Sequence, residues 1–117
     1  MVKELNFAGS SREDVRSFPE KVRLDIGYTL FVAQRGRKSA SAKPLKGFGS
    51  AGVLEIVENF DGNTYRAVYT VRFAAALYVL HCFQKKSRHG IQTSQQDINL
   101  IKQRLALAEQ DYKVKYP

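Results

Sequence analysis

Apolar and polar residues alternate with a period of two through VLEIVENF (53–60) and YRAVYTVRF (65–73), and LYVLHCFQ (77–84) is a short, largely apolar run; all three read as β-strands. Asp61-Gly62 between the first two is a strong hairpin signal. The short AAA segment joins the second to the third, which predicts a mostly antiparallel sheet. An earlier alternating piece, VKELNF (2–7), reads as a brief edge strand. Two helices should follow it. Ser11 is the expected N-cap of the first, with Glu13 and Asp14 favourably placed in its first turn. Phe18-Pro19 interrupts, and Pro19 suits the first position of a second helix in which Val22, Ile26, Leu30 and Ala33 recur at helical spacing. Tyr28 and Phe31 widen its apolar face, and it should end near Gly36. The stretch RGRKSASAKPLKGFGSAG (35–52) is basic and rich in Gly and Ser, so it reads as a mobile loop. Ser94 can cap a last helix with Ile98, Ile101, Leu105 and Ala108 turned to the core. The predicted order is β, α, α, a three-stranded meander, then α, within one α+β domain spanning 1–117.

Strand alternation sorts the side chains. Tyr65, Ala67, Tyr69, Val71 and Phe73 point one way and Arg66, Val68, Thr70 and Arg72 the other. The aromatic face is expected to pack on helices, leaving the arginine face open. Leu54, Ile56 and Phe60 share one side of their strand and Glu55, Val57 and Asn59 the other, so Glu55 and Arg66 fall on the same open face of neighbouring strands.

Charge changes this picture from a fold to a candidate interface. The formal net charge is +8 and the isoelectric point about 9.8. The excess is concentrated in two windows without carboxylates. Ile26–Leu54 carries Arg35, Arg37, Lys38, Lys43 and Lys46; Gly62–Gln96 carries Arg66, Arg72, Lys85, Lys86, Arg88 and both histidines, His81 and His89. Such clustering is the electrostatic footprint of a nucleic-acid binder. No apolar run is long enough for a membrane helix and the N-terminus lacks a signal peptide's layout, so a cytoplasmic location without membrane contact is expected. Cys82 is the single cysteine and sits in an apolar strand, which makes it a small core side chain rather than a nucleophile. The spacing of His, Cys, Asp and Glu supports no metal site. KGFGSAG precedes a strand rather than a helix, so no cofactor is expected.

Arg66 on an open sheet face, Lys85-Lys86 at a strand end and a basic loop near Lys46 together suit a phosphate cradle. Arginine's planar fork grips phosphate oxygens in pairs, lysine adds a point charge, and both stabilise a pentacoordinate phosphorus. The competing reading pairs Arg66 with Glu55 to hold the sheet together. His81 suits proton transfer if its ring reaches the open face, and is otherwise a satisfied core residue. His89 is a solvated loop residue.

YRAVY, then LYVLHCFQKKS, then a polar linker and the helix QQDINLIKQRL, resembles the RelE/HigB superfamily of toxins, specifically its phage-derived HigB-like branch, from about Phe18 through Leu107. The resemblance implies a RelE-like fold, with a mostly antiparallel twisted sheet, two N-terminal helices and a C-terminal helix. It further implies a type II toxin that cleaves messenger RNA in a ribosome-dependent way, and a cognate helix-turn-helix, HigA-like antitoxin. Arg66 matches the arginine that contacts the scissile phosphate, Lys85 and Lys86 match the paired basic residues ending the next strand, and His81 matches a histidine common in this branch. In that reading Arg66, Lys86, His81 and Glu55 are catalytic, and Lys46, Arg72, Lys85 and Arg88 bind RNA. The chain departs from the pattern where RelE-type enzymes carry two lysines, for Glu55 and Val57 stand there, which leaves Glu55 and His81 as alternative general bases. The aromatic residue that stacks on the codon in some members has Tyr112 or Tyr116 as its counterpart. Two other functions fit the same scaffold: a ParE-like toxin that inhibits DNA gyrase without cutting RNA, and a non-catalytic nucleic-acid-binding module.

Overall fold

In the computed structural model, which describes residues 2–85 and 93–117, the elements run β1 (Glu4–Phe7), α1 (Ser11–Arg16), α2 (Glu20–Gln34), β2 (Ala42–Pro44), β3 (Val53–Phe60), β4 (Asn63–Thr70), β5 (Ala76–Lys85) and α3 (Gln95–Lys115). They form a five-stranded sheet in the order β1-β5-β4-β3-β2. β3, β4 and β5 are the expected antiparallel meander, whereas β1 joins the edge parallel to β5. Asp61 (φ 52°) and Gly62 (φ 80°) make the β3–β4 turn. Both lie in the left-handed region that a two-residue hairpin of this hand requires, and Asp and Gly reach it at the least cost.

Several local expectations shift. Ser10 rather than Ser11 precedes α1, and Pro19 is the extended residue before α2 instead of its first helical one. The basic loop contains a short strand, β2, whose Ala42 and Pro44 pair with Ile56 and Leu54. Proline is tolerated there because β2 is an edge.

The larger correction concerns the arginine face. The sheet is covered on both sides. On one side α2 buries Val22, Ile26, Leu30 and Ala33 against Leu54, Ile56, Tyr65, Ala67 and Tyr69. On the other side α3 lays Ile101, Leu105 and Ala108 over Val53, Val68, Tyr78 and Leu80. Arg66 is therefore only 7% exposed, and Thr70 is fully buried. The apolar residues interleaved with the arginines required a cover, and α3's own stripe required the same contact. β4 ends at Thr70, so the alternation stops there and Phe73 turns into the α3 side, stacked on Tyr112 at 4.6 Å between ring centres.

β5 carries a β-bulge: Val68 pairs with His81 and Tyr69 with Val79, leaving Leu80 as the extra residue. Leu80 enters the α3 core and His81 also reaches α3. Arg104 of α3 donates to the Leu80 carbonyl at 2.9 Å.

Two positions are costly to the fold. Gly27 sits inside α2 with open space where a Cβ would project, at ~1 kcal/mol of helix stability relative to alanine. The Tyr69 ring is fully buried, yet its hydroxyl has no hydrogen-bond partner among the described residues, and burial pushes its pKa up to about 12. A buried, unsatisfied hydroxyl is unfavourable. Tyr69→Phe should leave the melting temperature unchanged or raise it, by up to ~1 kcal/mol of stability, in thermal unfolding followed by circular dichroism. A clear loss would mean that the hydroxyl has a partner after all.

Candidate active site

β3 and β4 bring Glu55 and Arg66 to the α3 side of the sheet by strand alternation alone. Glu55 pairs in register with Val68, and Arg66 with Val57, so the two charged side chains are diagonal neighbours. Arg66 NH1 donates to Glu55 Oε2 at 3.1 Å, and the side chains are only 8% and 13% exposed. Thr93, just before α3, closes a triangle: its hydroxyl donates to the same Glu55 oxygen at 2.7 Å and lies 3.4 Å from Arg66 NH1.

This triangle forms part of the lining of a groove of about 510 Å³. Lys43 and Pro44 of β2 and the following Leu45-Lys46-Gly47 form one wall, and Gln95, Ile98 and Lys102 of α3 the other. Among the described residues the lining carries four cations, Lys43, Lys46, Arg66 and Lys102, against the single carboxylate of Glu55. Since Glu55 neutralises Arg66, the three lysines leave a net positive rim around a buried ion pair. The low dielectric beneath the rim strengthens any interaction with an entering anion. The two acid-free windows of the sequence thus converge through Lys43, Lys46 and Arg66.

Other predicted residues lie elsewhere. Lys85 is 3.8 Å from Asp97 and His81 stacks on Phe83 at 4.4 Å; neither lines the groove. His81 Nε2 is 2.9 Å from Asp97 Oδ1, and Nδ1 is 3.4 Å from Arg104 NH1. A guanidinium only donates, so Nδ1 is the acceptor and Nε2 carries the proton toward Asp97. Arg72 pairs with Glu109 near the far end of α3. Tyr112 stacks between Phe73 and Tyr116 and accepts from the Ala75 amide, while the Tyr116 hydroxyl donates to Glu4. Both tyrosines are engaged in packing the C-terminal turn of α3. Lys86, Arg88 and His89 lie outside the described residues. Burial, with the nearby charge of Asp14, pushes the Cys82 thiol up to about 12, which removes it as a nucleophile.

Thr93 and Lys102 went unassigned in the sequence, as did Lys43 beyond its count as a cation. Lys102 follows Ile98 by four residues and so sits beside the core stripe of α3, a placement readable from spacing. Thr93 has no such signal.

Asp97 anchors the start of α3. The Ser94 side chain accepts from its amide at 3.1 Å and donates to its carboxylate at 2.7 Å. Burial opposes ionisation of Asp97, but the hydrogen bonds from Ser94 and His81 and the nearby charge of Lys85 outweigh it and hold the pKa below the usual carboxylate value. A depressed folded-state pKa contributes stability that is present above the unfolded pKa of ~4 and is lost as pH falls through the folded value. Asp97→Asn should lower stability at neutral pH by ~1.5 kcal/mol and flatten the decline below about pH 4, as read from thermal unfolding across pH. An unchanged acid limb would show that Asp97 does not contribute to it.

Comparison with known proteins agrees with this architecture. Residues 13–106 match the family described as Phage derived protein Gp49-like (DUF891). No curated protein matches. Among solved structures, an arginine-to-alanine double mutant of the E. coli toxin RelE in the free state is similar at 18% identity and a TM-score of 0.61, covering 90% of this chain and 99% of that one. The RelBE2 toxin-antitoxin complex from Mycobacterium tuberculosis is similar at 19% identity and a TM-score of 0.46, covering 74% of this chain and 95% of that one. A five-stranded sheet with helices on both faces, matched over nearly the whole RelE chain, together with the profile match over 13–106, leads to one assignment: the chain belongs to the phage-derived Gp49-like family and has the fold of the RelE toxin.

Proposed function

We propose that this chain is the toxin of a type II toxin-antitoxin pair and that it inhibits translation by cutting messenger RNA on the ribosome. The observation that carries the reading is the partly buried Glu55–Arg66–Thr93 triangle in the floor of a groove rimmed by Lys43, Lys46 and Lys102. The family and the RelE fold support it. A ribosome-held codon arrives with its backbone geometry partly fixed, which removes an orientation cost that so sparse a site would otherwise meet alone.

The 2′-hydroxyl attacks the adjacent phosphorus in line, forming a new P–O bond as the 5′-oxygen leaves. Glu55 accepts the hydroxyl proton and the departing oxygen takes one from Glu55 or water. Glu55 is the better placed of the two candidate bases, because it lines the groove beside Arg66 whereas His81 is held between Asp97 and Arg104. Arg66 exchanges its bond to Glu55 for the phosphate oxygens and, with Lys86, stabilises the phosphorane. Lys46 positions the backbone in the groove. Lys85, Arg88 and Arg72 extend the contact on the strength of their place in the sequence. A helix-turn-helix, HigA-like antitoxin is the proposed protein partner and the cytoplasm the site of action. No cofactor enters the reaction.

Growth and messenger 5′ ends, followed after controlled expression of wild type and variants, test the proposal. Arrest with new in-frame cuts is expected for wild type and no cuts for Arg66→Ala. Because that change leaves Glu55 buried without its partner, at ~3–5 kcal/mol, the Arg66→Gln/Glu55→Gln pair serves as the folded control. Arrest without cuts would point to a protein target such as gyrase, and robust cleavage of free RNA by the purified chain would remove the ribosome from the mechanism. Glu55→Gln should lower cleavage by about 10²–10⁴-fold while RNA is still bound. Lys102→Ala should weaken binding of single-stranded RNA and reduce the slope of log K against log salt by ~0.7. An unchanged slope would place the RNA away from this rim.

A further inference from the structure

α2 is apolar on both sides. Its inner stripe is buried against the sheet, yet its outer face exposes Leu24 at 64%, Tyr28 at 64% and Phe31 at 48%. These three lie at i, i+4 and i+7, one line along the helix. Gly27 falls among them, and among the described residues nothing stands within 4 Å of where its Cβ would be, so the face has a notch bordered by large side chains. Within one chain neither the notch nor the glycine has a use. Glu20 and Arg35 stand at the two ends of the same face, both exposed. The Arg35 guanidinium rests 4.5 Å from the centre of the Phe31 ring.

The order along this face is Glu20, Leu24, Gly27, Tyr28, Phe31, Arg35, and it is symmetric about the point between Gly27 and Tyr28. Laid antiparallel against a copy of itself, the helix sets Leu24 against Phe31, fits Tyr28 into the notch at Gly27, and opposes Glu20 to Arg35. A two-fold axis makes each contact twice, which is what an isologous interface requires. The missing Cβ lets the two backbones approach where they cross. We infer that two copies of this chain associate through α2, antiparallel about a two-fold axis at Gly27–Tyr28.

Each copy carries a net charge of +8, but the lysine-rimmed groove lies with α3 on the other side of the sheet from α2. The association leaves both grooves facing outward. The sheet and α2 itself stand between the contact and the groove, and salt screens charges over ~8–10 Å at moderate ionic strength. At the contact itself Glu20 and Arg35 are complementary, with Lys21 paired to Asp25 along the same helix and Arg23 exposed at its flank. A pair of 15-residue helices spans only ~22 Å, and such a contact is smaller than the ~1,200 Å² of a stable complex. The dimer is accordingly weak and reversible.

Sedimentation velocity of the purified chain, from low micromolar to near millimolar, should show the mass moving from one chain toward two. Glu20→Arg and Arg35→Glu should each raise the dissociation constant on the order of tenfold, since each reversal acts at two symmetric contacts. The double variant should recover the wild-type value. Gly27→Ala should raise the melting temperature and weaken the dimer, two readouts moving in opposite directions. Circular dichroism confirms that each variant is folded. A chain that stays monomeric throughout, a dimer indifferent to both reversals, or single reversals that the double variant does not rescue would each overturn the inference.

Discussion

The ion pair between Glu55 and Arg66, largely buried at the floor of the groove between β2 and α3, is the constraint to which the rest of the molecule answers. Taking either charge out of water costs several kcal/mol, and only the completed pair with its hydrogen bonds offsets that cost. The pair depends on register. Because side chains alternate, a slip of one residue in either strand would turn its charge to the α2 side, among Leu54, Ile56 and Ala67. The left-handed Asp61-Gly62 turn fixes that register, so a two-residue turn at one end of the hairpin specifies the chemistry farther along it. Thr93 completes the pair from the α3 side, so sheet and helix must both be in place before either charge is settled.

Much of this was legible in the chain. The meander, the hairpin turn, the two N-terminal helices and the Ser94-capped last helix follow from periodicity and turn chemistry, and the alternation of VLEIVENF and YRAVYT suffices to put Glu55 beside Arg66. The resemblance to the RelE/HigB superfamily pointed to the fold that the chain adopts. What could not be read is three-dimensional. A strand pattern with arginines on one face does not say whether a helix will cover that face, and the interleaved Val68 and Thr70 decided the matter here. The bulge at Leu80 has no local signature, because an extra residue in β5 is visible only against its partner strand. β2 was hidden in a Gly- and Ser-rich loop, since three residues at an edge are too few to show a period. Lys43, Thr93 and Lys102 meet only because β2 and α3 converge over the same point of the sheet.

The angle at which α3 lies is set by polar fasteners as much as by its apolar stripe. Near its start Asp97 holds His81 and approaches Lys85; in its middle Arg104 reaches the Leu80 carbonyl; near its end Asp111 receives the Tyr78 hydroxyl at 2.6 Å. Ile101, Leu105 and Ala108 would tolerate small rotations of the helix, since burial is not directional. Hydrogen bonds are directional. Together they bring Lys102 to the groove and direct Arg104 to the sheet. Seen this way His81 belongs to the apparatus that positions the wall of the site, and the bulge that turns it toward α3 is part of the same apparatus.

The parallel pairing of β1 with β5 joins Glu4 to Ala76, and the groove borrows its second wall from residues beyond Thr93. During synthesis the first strand therefore waits without its neighbour until most of the chain has emerged. The cationic groove has no second wall until α3 has been made. A partly made chain can fold its meander, whose contacts are close in sequence and form early, but it cannot assemble the site. The groove is thus the later-made feature and the sheet the earlier one, by nothing more than the order in which the elements follow one another.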